Sequence, residues 1–342
     1  MTRFIILLLS PFIFSCVETP NKAKTDPDAA SATVNEQSFI DLGGEKQYVE
    51  ITGTYADKPV LLFLHGGPGW PQTPHLRYFN SELTDSMTLV AWEQRGCGKS
   101  FMHNPEAQNM SLHRIVEDGH ELTQWLKEKF RKDKIYLAGF SWGSVVGLKL
   151  IEEYPDDYAA YFGIAQVLNI RQSLKLSRKW IAEQAKAKGD QAALLVLDQL
   201  EKGDTSLCIG ELNCLLKQHE LLNKYGGAIF NKEAVTEIQK AESQYEDYKN
   251  YDWLSAFQYS AGHLEKDLFA TDLTGLKSVK IPVYFLLGRH DWNLPSAITE
   301  EFVNKLNAPH KEIIWFEQSG HEPLEEEAEK FNQTIIGLVR KI

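Results

Sequence analysis

Ser141 stands between two glycines in "GFSWG", residues 139–143, directly after the apolar run "KIYLA" and just ahead of a stretch that reads as a helix. A serine at a sharp strand–turn–helix corner can serve as a nucleophile, and flanking glycines let backbone segments pass close together there. A hydroxyl attacks only when a base removes its proton, and the base needs a third group to orient it. Downstream, "FLLGRHDWNLP" carries Asp291 and "IIWFEQSGHEP" carries His321, each a few residues past a strand-like run. The chemistry expected is acyl transfer, in which Ser141 attacks a carbonyl, His321 shuttles the proton and Asp291 orients the imidazole. His290, Asp252, Glu317 and Glu322 compete for the acid and base roles. The stretch after "YFGIAQVL" offers only Gln166 and Asn169, which favours Asp291 as the acid. The oxyanion formed on the way needs fixed N–H donors, expected from Trp142 and from Gly67 in "HGGPG", residues 65–69. His65 reads as a structural residue that orients this loop.

These side chains need a scaffold that brings them to one rim. "SFIDL" and "KQYVEITG" flank Gly43–Gly44 and predict a hairpin. "PVLLFLHGGPG" and "MTLVAWEQRG" are continuous apolar runs, the pattern of strands buried on both faces. "SLHRIVEDGHELTQWLKEKF" predicts an amphipathic helix leading into "KIYLAGF". "SVVGLKLIEEYP" predicts a helix stopped near Pro155, and "YAAYFGIAQVL" a further strand. Strand quality is then lost over residues 170–272, whose composition is helical. Alternation resumes with "IPVYFLLGRHDW", "KEIIWFEQSGHEP" and a closing helix "LEEEAEKFNQTIIGLVRKI". The expectation is an α/β fold with a mostly parallel sheet flanked by helices. Its core is divided into residues 36–169 and 273–342 around an inserted helical cap, 170–272. In such a sheet reactive groups gather at the carboxyl ends of the strands.

The chain of 342 residues carries a net charge of −11, with 43% hydrophobic and 24% charged residues, ordinary for a protein with a real core. No basic stripe is present, which argues against a nucleic-acid partner. Residues 1–16, "MTRFIILLLSPFIFSC", place Arg3 before the apolar segment Phe4 to Phe14 and the small Ser15 and Cys16. That is the layout of a secretory signal, too short for a spanning helix. Its ending resembles a bacterial lipoprotein signal, so Cys16 is the expected lipid anchor to a cell-envelope membrane. Residues 17–35 are polar enough to form a flexible linker. Cys208 and Cys214 lie close enough in sequence for a disulfide in an exported protein, and Cys97 reads as structural. No metal or other cofactor is implied.

"HGGPG", "EQRGCGKS" (Glu93 to Ser100), "GFSWGS", "GRHDWNLP" and "SGHEP" occur in this order and together resemble the α/β-hydrolase fold. They are most similar to its proline iminopeptidase branch, enzymes that release N-terminal proline from peptides. The resemblance spans about residues 38–169 and again from about residue 280 to the end. It implies a serine aminopeptidase acting on short peptides. Glu93 departs from the branch, which has aspartate there. In that branch acidic cap residues hold the substrate's α-amino group, and the cap here offers Glu211, Glu242, Glu246, Asp247, Asp252 and Glu265.

Two other readings compete. A carboxylesterase or lipase-like hydrolase of small esters or amides needs no amine-binding carboxylate. A catalytically silent binding lipoprotein would keep the fold and leave Ser141 unreactive. Aspartate in place of Ser141 would mark an epoxide hydrolase or dehalogenase, and it is absent.

Overall fold

Eight strands form one sheet in the computed structural model, which describes residues 33–54 and 58–342. They are β1 (Thr33–Leu42), β2 (Glu45–Thr54), β3 (Val60–Leu64), β4 (Thr88–Glu93), β5 (Ile135–Phe140), β6 (Tyr158–Ile164), β7 (Val283–Gly288) and β8 (Lys311–Phe316). The order is β1-β2-β4-β3-β5-β6-β7-β8, with β1, β2 and β4 paired antiparallel and every later pairing parallel. The signal-like segment with Cys16, and the expected linker as far as residue 32, lie outside the described residues.

The end of the expected linker needs correction. Residues 33–35 belong to β1 and pair with residues 52–54 of β2. Only alternate positions of this edge strand approach the core, beginning with buried Val34, so its composition looks like polar linker. Gly43 and Gly44, both at positive φ, make the hairpin turn.

Helices α1 (Thr73–Phe79), α2 (Gly98–His103), α3 (Leu112–Phe130) and α4 (Trp142–Glu153) lie between β3 and β6. Five helices then follow without a strand: α5 (Ile170–Ala187), α6 (Gln191–Lys202), α7 (Glu211–Lys224), α8 (Lys232–Ser243) and α9 (Trp253–Ala270). Helix α10 (Ala297–Lys305) separates β7 from β8, and α11 (Pro323–Glu326) and α12 (Ala328–Lys341) follow β8. The closing helix is thus two helices, broken at Glu327.

The unbroken apolar strands have apolar cover on both sides. Leu62 and Leu64 of β3 pack with Leu122 of α3 and Val145 of α4, while Leu61 and Phe63 face the other way toward Leu76 of α1 and Phe331 of α12. Alternate residues therefore feed two cores, one on each face. The helices α5 to α9 hold a small cluster of their own around Ile181, Leu197, Leu200 and Leu222. A disulfide joins Cys208 to Cys214 ahead of and within α7. An isolated antiparallel bridge between Asn169 and Asp272 pairs the chain where it enters and leaves this helical insertion.

Candidate active site

Strand β5 ends at Phe140 and α4 begins at Trp142, leaving Ser141 alone to turn the chain, at φ 48° and ψ −116°. A non-glycine residue in that region is strained, and the surroundings must hold it there. Ser141 N–H donates to the Ile164 carbonyl of the neighbouring strand at 3.0 Å. Its carbonyl accepts from the Ser144 hydroxyl at 2.6 Å. The flanking glycines have a steric cause. A Cβ at Gly139 would strike the Gly143 carbonyl, and one at Gly143 would overlap the carbonyl of Leu64.

Asp291 sits just past β7 and His321 just past β8, so parallel neighbours deliver both to the rim where β5 delivers Ser141. The serine hydroxyl donates to His321 Nε2 at 3.0 Å, and His321 Nδ1 donates to Asp291 Oδ2 at 2.9 Å. The other carboxylate oxygen, Oδ1, accepts from the N–H groups of Asn293 at 2.9 Å and Leu294 at 2.8 Å. Those two donors fix the carboxylate plane, which in turn fixes the imidazole tautomer. Asp291 and His321 are both buried.

The structure leaves the competing residues out of this chain of hydrogen bonds. The His290 ring stacks on Phe230, Glu317 pairs with Arg289, and Asp252 caps α9. Glu322 lies on the cavity wall beside His321.

The cavity above Ser141 has a volume of about 410 Å³. Gly67 and Trp142 both border it. Trp142 opens α4, so its N–H is one of the helix-start donors without a partner inside the helix. Gly67 is at φ +107°, and a side chain there would run into the backbone nitrogens of Gly69 and Trp70. His65 steadies this loop from below. Its Nδ1 donates to the Gly66 carbonyl at 2.8 Å and its Nε2 accepts from Gln94 N–H at 3.2 Å. Burial pulls its pKa down to about 4, so the ring is a neutral brace.

Glu93 is fully buried and reaches out of the core into the cap. It accepts from Thr73 Oγ1 at 2.7 Å, from Lys99 N–H at 2.5 Å, and from the Tyr248 hydroxyl of the insertion. Burial raises its pKa against the pull of these donors. Nearby Asp247 pairs with Arg77 and Lys99, at 3.0 and 2.6 Å. This corner is therefore a latch between cap and core.

Of the six acidic cap residues, Glu211 pairs with Arg171, Glu246 with Lys249 and Asp247 in the latch, while Asp252 caps α9 and Glu265 accepts from Leu212 N–H. Glu242 alone among them bonds to the side chain of a cavity-wall residue, accepting from Trp70 Nε1 at 3.2 Å. It also lies 3.8 Å from His75, whose other ring nitrogen is 2.7 Å from Glu325. Burial, and then the carboxylates of Glu325, Glu326, Asp291 and Glu242, push the Glu322 carboxyl well above its usual range. Glu242 and Glu325 thus share the His75 imidazole while Glu322 lies on the cavity wall, an acidic setting that suits an incoming cation.

Sequence reasoning missed His219, a cavity-wall residue on α7. Burial draws its pKa down to about 4, and Asn223 Nδ2 donates to its Nδ1 at 3.2 Å. A signal was present. Leu212, Leu215, Leu216 and His219 follow the i, i+3, i+4, i+7 spacing of one helix face, and all four line the cavity.

Comparison with known proteins follows the same lines. The family model described as serine aminopeptidase, S33, matches residues 78–328. A probable aminopeptidase of Bacillus subtilis, YbaC, is 30% identical over 314 residues, covering 90% of this chain and 97% of the relative. A proline iminopeptidase of Lactobacillus delbrueckii is 26% identical over 175 residues, 46% of this chain and 52% of the relative. Among solved structures, proline iminopeptidase from Mycobacterium smegmatis superimposes with a TM-score of 0.66 at 18% identity, covering 90% of this chain and 98% of that one.

Proposed function

The chain belongs to the serine aminopeptidase S33 family of α/β hydrolases, and from that premise we propose that it releases N-terminal residues from short peptides in the manner of a proline iminopeptidase. The observation that carries this reading is the unbroken run of hydrogen bonds from Ser141 through His321 to Asp291, at 3.0 and 2.9 Å, opening into one cavity.

The steps follow from that geometry. Ser141 Oγ bonds to the scissile carbonyl carbon as its proton passes to His321 Nε2. Asp291 stabilises the imidazolium formed, and the N–H groups of Trp142 and Gly67 receive the oxyanion. Collapse breaks the C–N bond while His321 returns its proton to the leaving amine. Water then attacks the acyl-enzyme by the same route, freeing Ser141.

An aminopeptidase must also hold a free ammonium group. Glu322 on the core side and Glu242 on the cap side are the carboxylates we assign to it, because Glu322 lines the cavity and Glu242 accepts from the wall residue Trp70, and an ammonium group beside them favours the ionised form that burial otherwise opposes. Charge-assisted hydrogen bonds of this kind are about twice as strong as neutral ones.

A second reading rests on the remainder of the wall. Val167, Leu174, Leu215, Leu254, Phe257 and Leu268 make it largely apolar, which also suits the acyl part of an ester. A panel of proline- and alanine-linked chromogenic amides beside matched esters separates the two. Turnover of the aminoacyl amides supports the peptidase. Robust ester turnover with none of the amides replaces it with an esterase.

The export and lipid anchoring expected from residues 1–16 remain part of this proposal. The Cys208–Cys214 disulfide supports them, since such bonds persist in oxidising compartments.

A further inference from the structure

Two stretches far apart in sequence meet behind the triad. One is residues 226–231, which join α7 to α8 in the cap. The other is the turn around His321 and the short helix after it. His321 N–H donates to the Ala228 carbonyl at 2.6 Å. Trp292 N–H, next to Asp291, donates to the Gly227 carbonyl at 2.9 Å. The backbones approach so closely that a Cβ on Gly320 would overlap the Ala228 carbonyl.

One buried carboxylate ties these stretches together. Glu326 Oε1 accepts from the N–H groups of Gly320 at 2.8 Å and Glu322 at 3.3 Å, the residues on either side of His321. Its Oε2 accepts from the N–H groups of Phe230 and Asn231 in the cap, both at 2.8 Å. A carboxylate is the side chain suited to this place, having two oxygens that each accept and no donor to clash with the four N–H groups. An amide there sets its NH2 against one pair.

We propose that Glu326 is a positioning residue that keeps His321 in line with Ser141 by fastening the histidine turn to the cap segment 226–231. It touches no substrate and acts through the backbone flanking His321. On this side, then, the cap is part of the catalytic frame. The proposal rests on the nucleophile assignment given above.

Glu326→Gln keeps the shape and spoils two of the four bonds. Misplacing a catalytic group by about 1 Å costs about a hundredfold. The expected result is a folded variant whose kcat, and whose rate of fluorophosphonate labelling at Ser141, fall about ten- to hundredfold, with KM nearly unchanged. Glu326→Asp should recover part of the loss. Asn231→Pro removes one cap-side donor without touching the histidine turn and should lower the same two rates less. A folded Glu326→Gln protein with both rates within about twofold of wild type overturns the proposal, as does a loss confined to KM. If Glu326→Gln does not fold, Asn231→Pro decides by the same criteria. Wild-type protein that takes no label at Ser141 defeats the nucleophile assignment itself, so the two failures are told apart.

Discussion

Replacing Asp291 by asparagine is the sharpest perturbation of the triad, because the surrounding backbone dictates what the new side chain must do. Asp291 Oδ1 is gripped by two N–H groups, at 2.9 and 2.8 Å. In Asp291→Asn the amide oxygen stays on those donors, since turning it over would press an NH2 group against both. The NH2 then faces His321 Nδ1, where the carboxylate stood at 2.9 Å. To accept from it, Nδ1 must give up its proton, and the imidazole keeps one on Nε2 instead. That nitrogen lies 3.0 Å from Ser141 Oγ and can no longer take the serine proton. The equivalent tautomer reversal in serine proteases lowers kcat by ~10⁴. At ~1.36 kcal/mol per tenfold, this amounts to about 5.4 kcal/mol of transition-state stabilisation. The assay is kcat on a chromogenic aminoacyl amide, beside a thermal melt. The variant should melt close to wild type, because the swap preserves shape and removes a buried charge. A folded Asp291→Asn enzyme within about tenfold of wild-type kcat refutes the reasoning, since it would show that Asp291 does not set the tautomer.

Three further substitutions have expected outcomes. Gly143→Ala forces a methyl into the Leu64 carbonyl, an overpacking that typically costs about 1–3 kcal/mol, so the melting temperature should drop by several degrees and activity should vanish with the elbow geometry; an unchanged melt contradicts the steric account. Glu322 has a raised pKa in the folded protein, so its ionisation opposes folding: stability falls as pH rises above the ordinary carboxylate range, and Glu322→Gln should raise the melting temperature at neutral pH. The same variant should raise KM for aminoacyl amides by about tenfold or more while leaving esters unchanged, and wild-type KM for amides should climb as pH falls and the carboxylate is neutralised; equal effects on amides and esters remove Glu322 from amine binding. Cys16→Ala should abolish incorporation of labelled palmitate and shift the protein from the membrane fraction to the soluble one; unlabelled wild-type protein rules out the anchor.

The parts legible in the sequence are those governed by local rules. Buried parallel strands announce themselves as unbroken apolar runs, and Gly139 and Gly143 are required by close backbone contacts that no other residue permits. The order of Ser141, Asp291 and His321 follows from strands that end at a common rim. What stayed hidden depends on partners supplied by packing. Glu326 is one glutamate in the run "LEEEAEK", and nothing local marks it as the acceptor of four backbone N–H groups, two from the adjoining histidine turn and two from a distant cap segment. The six acidic cap residues look alike in sequence, whereas Trp70, 172 positions away, singles out Glu242. Residues 33–35 read as linker because an edge strand needs apolar residues only at alternate positions.

The account stands or falls on whether His321 makes Ser141 reactive. Wild-type protein should be treated with a fluorophosphonate, digested and mapped by mass spectrometry, with residual activity followed alongside. One phosphonyl group on Ser141, with activity lost in step with labelling and both abolished in folded His321→Ala, is the predicted result. Folded wild-type protein that leaves Ser141 unlabelled, or that keeps its activity once Ser141 is fully modified, contradicts it.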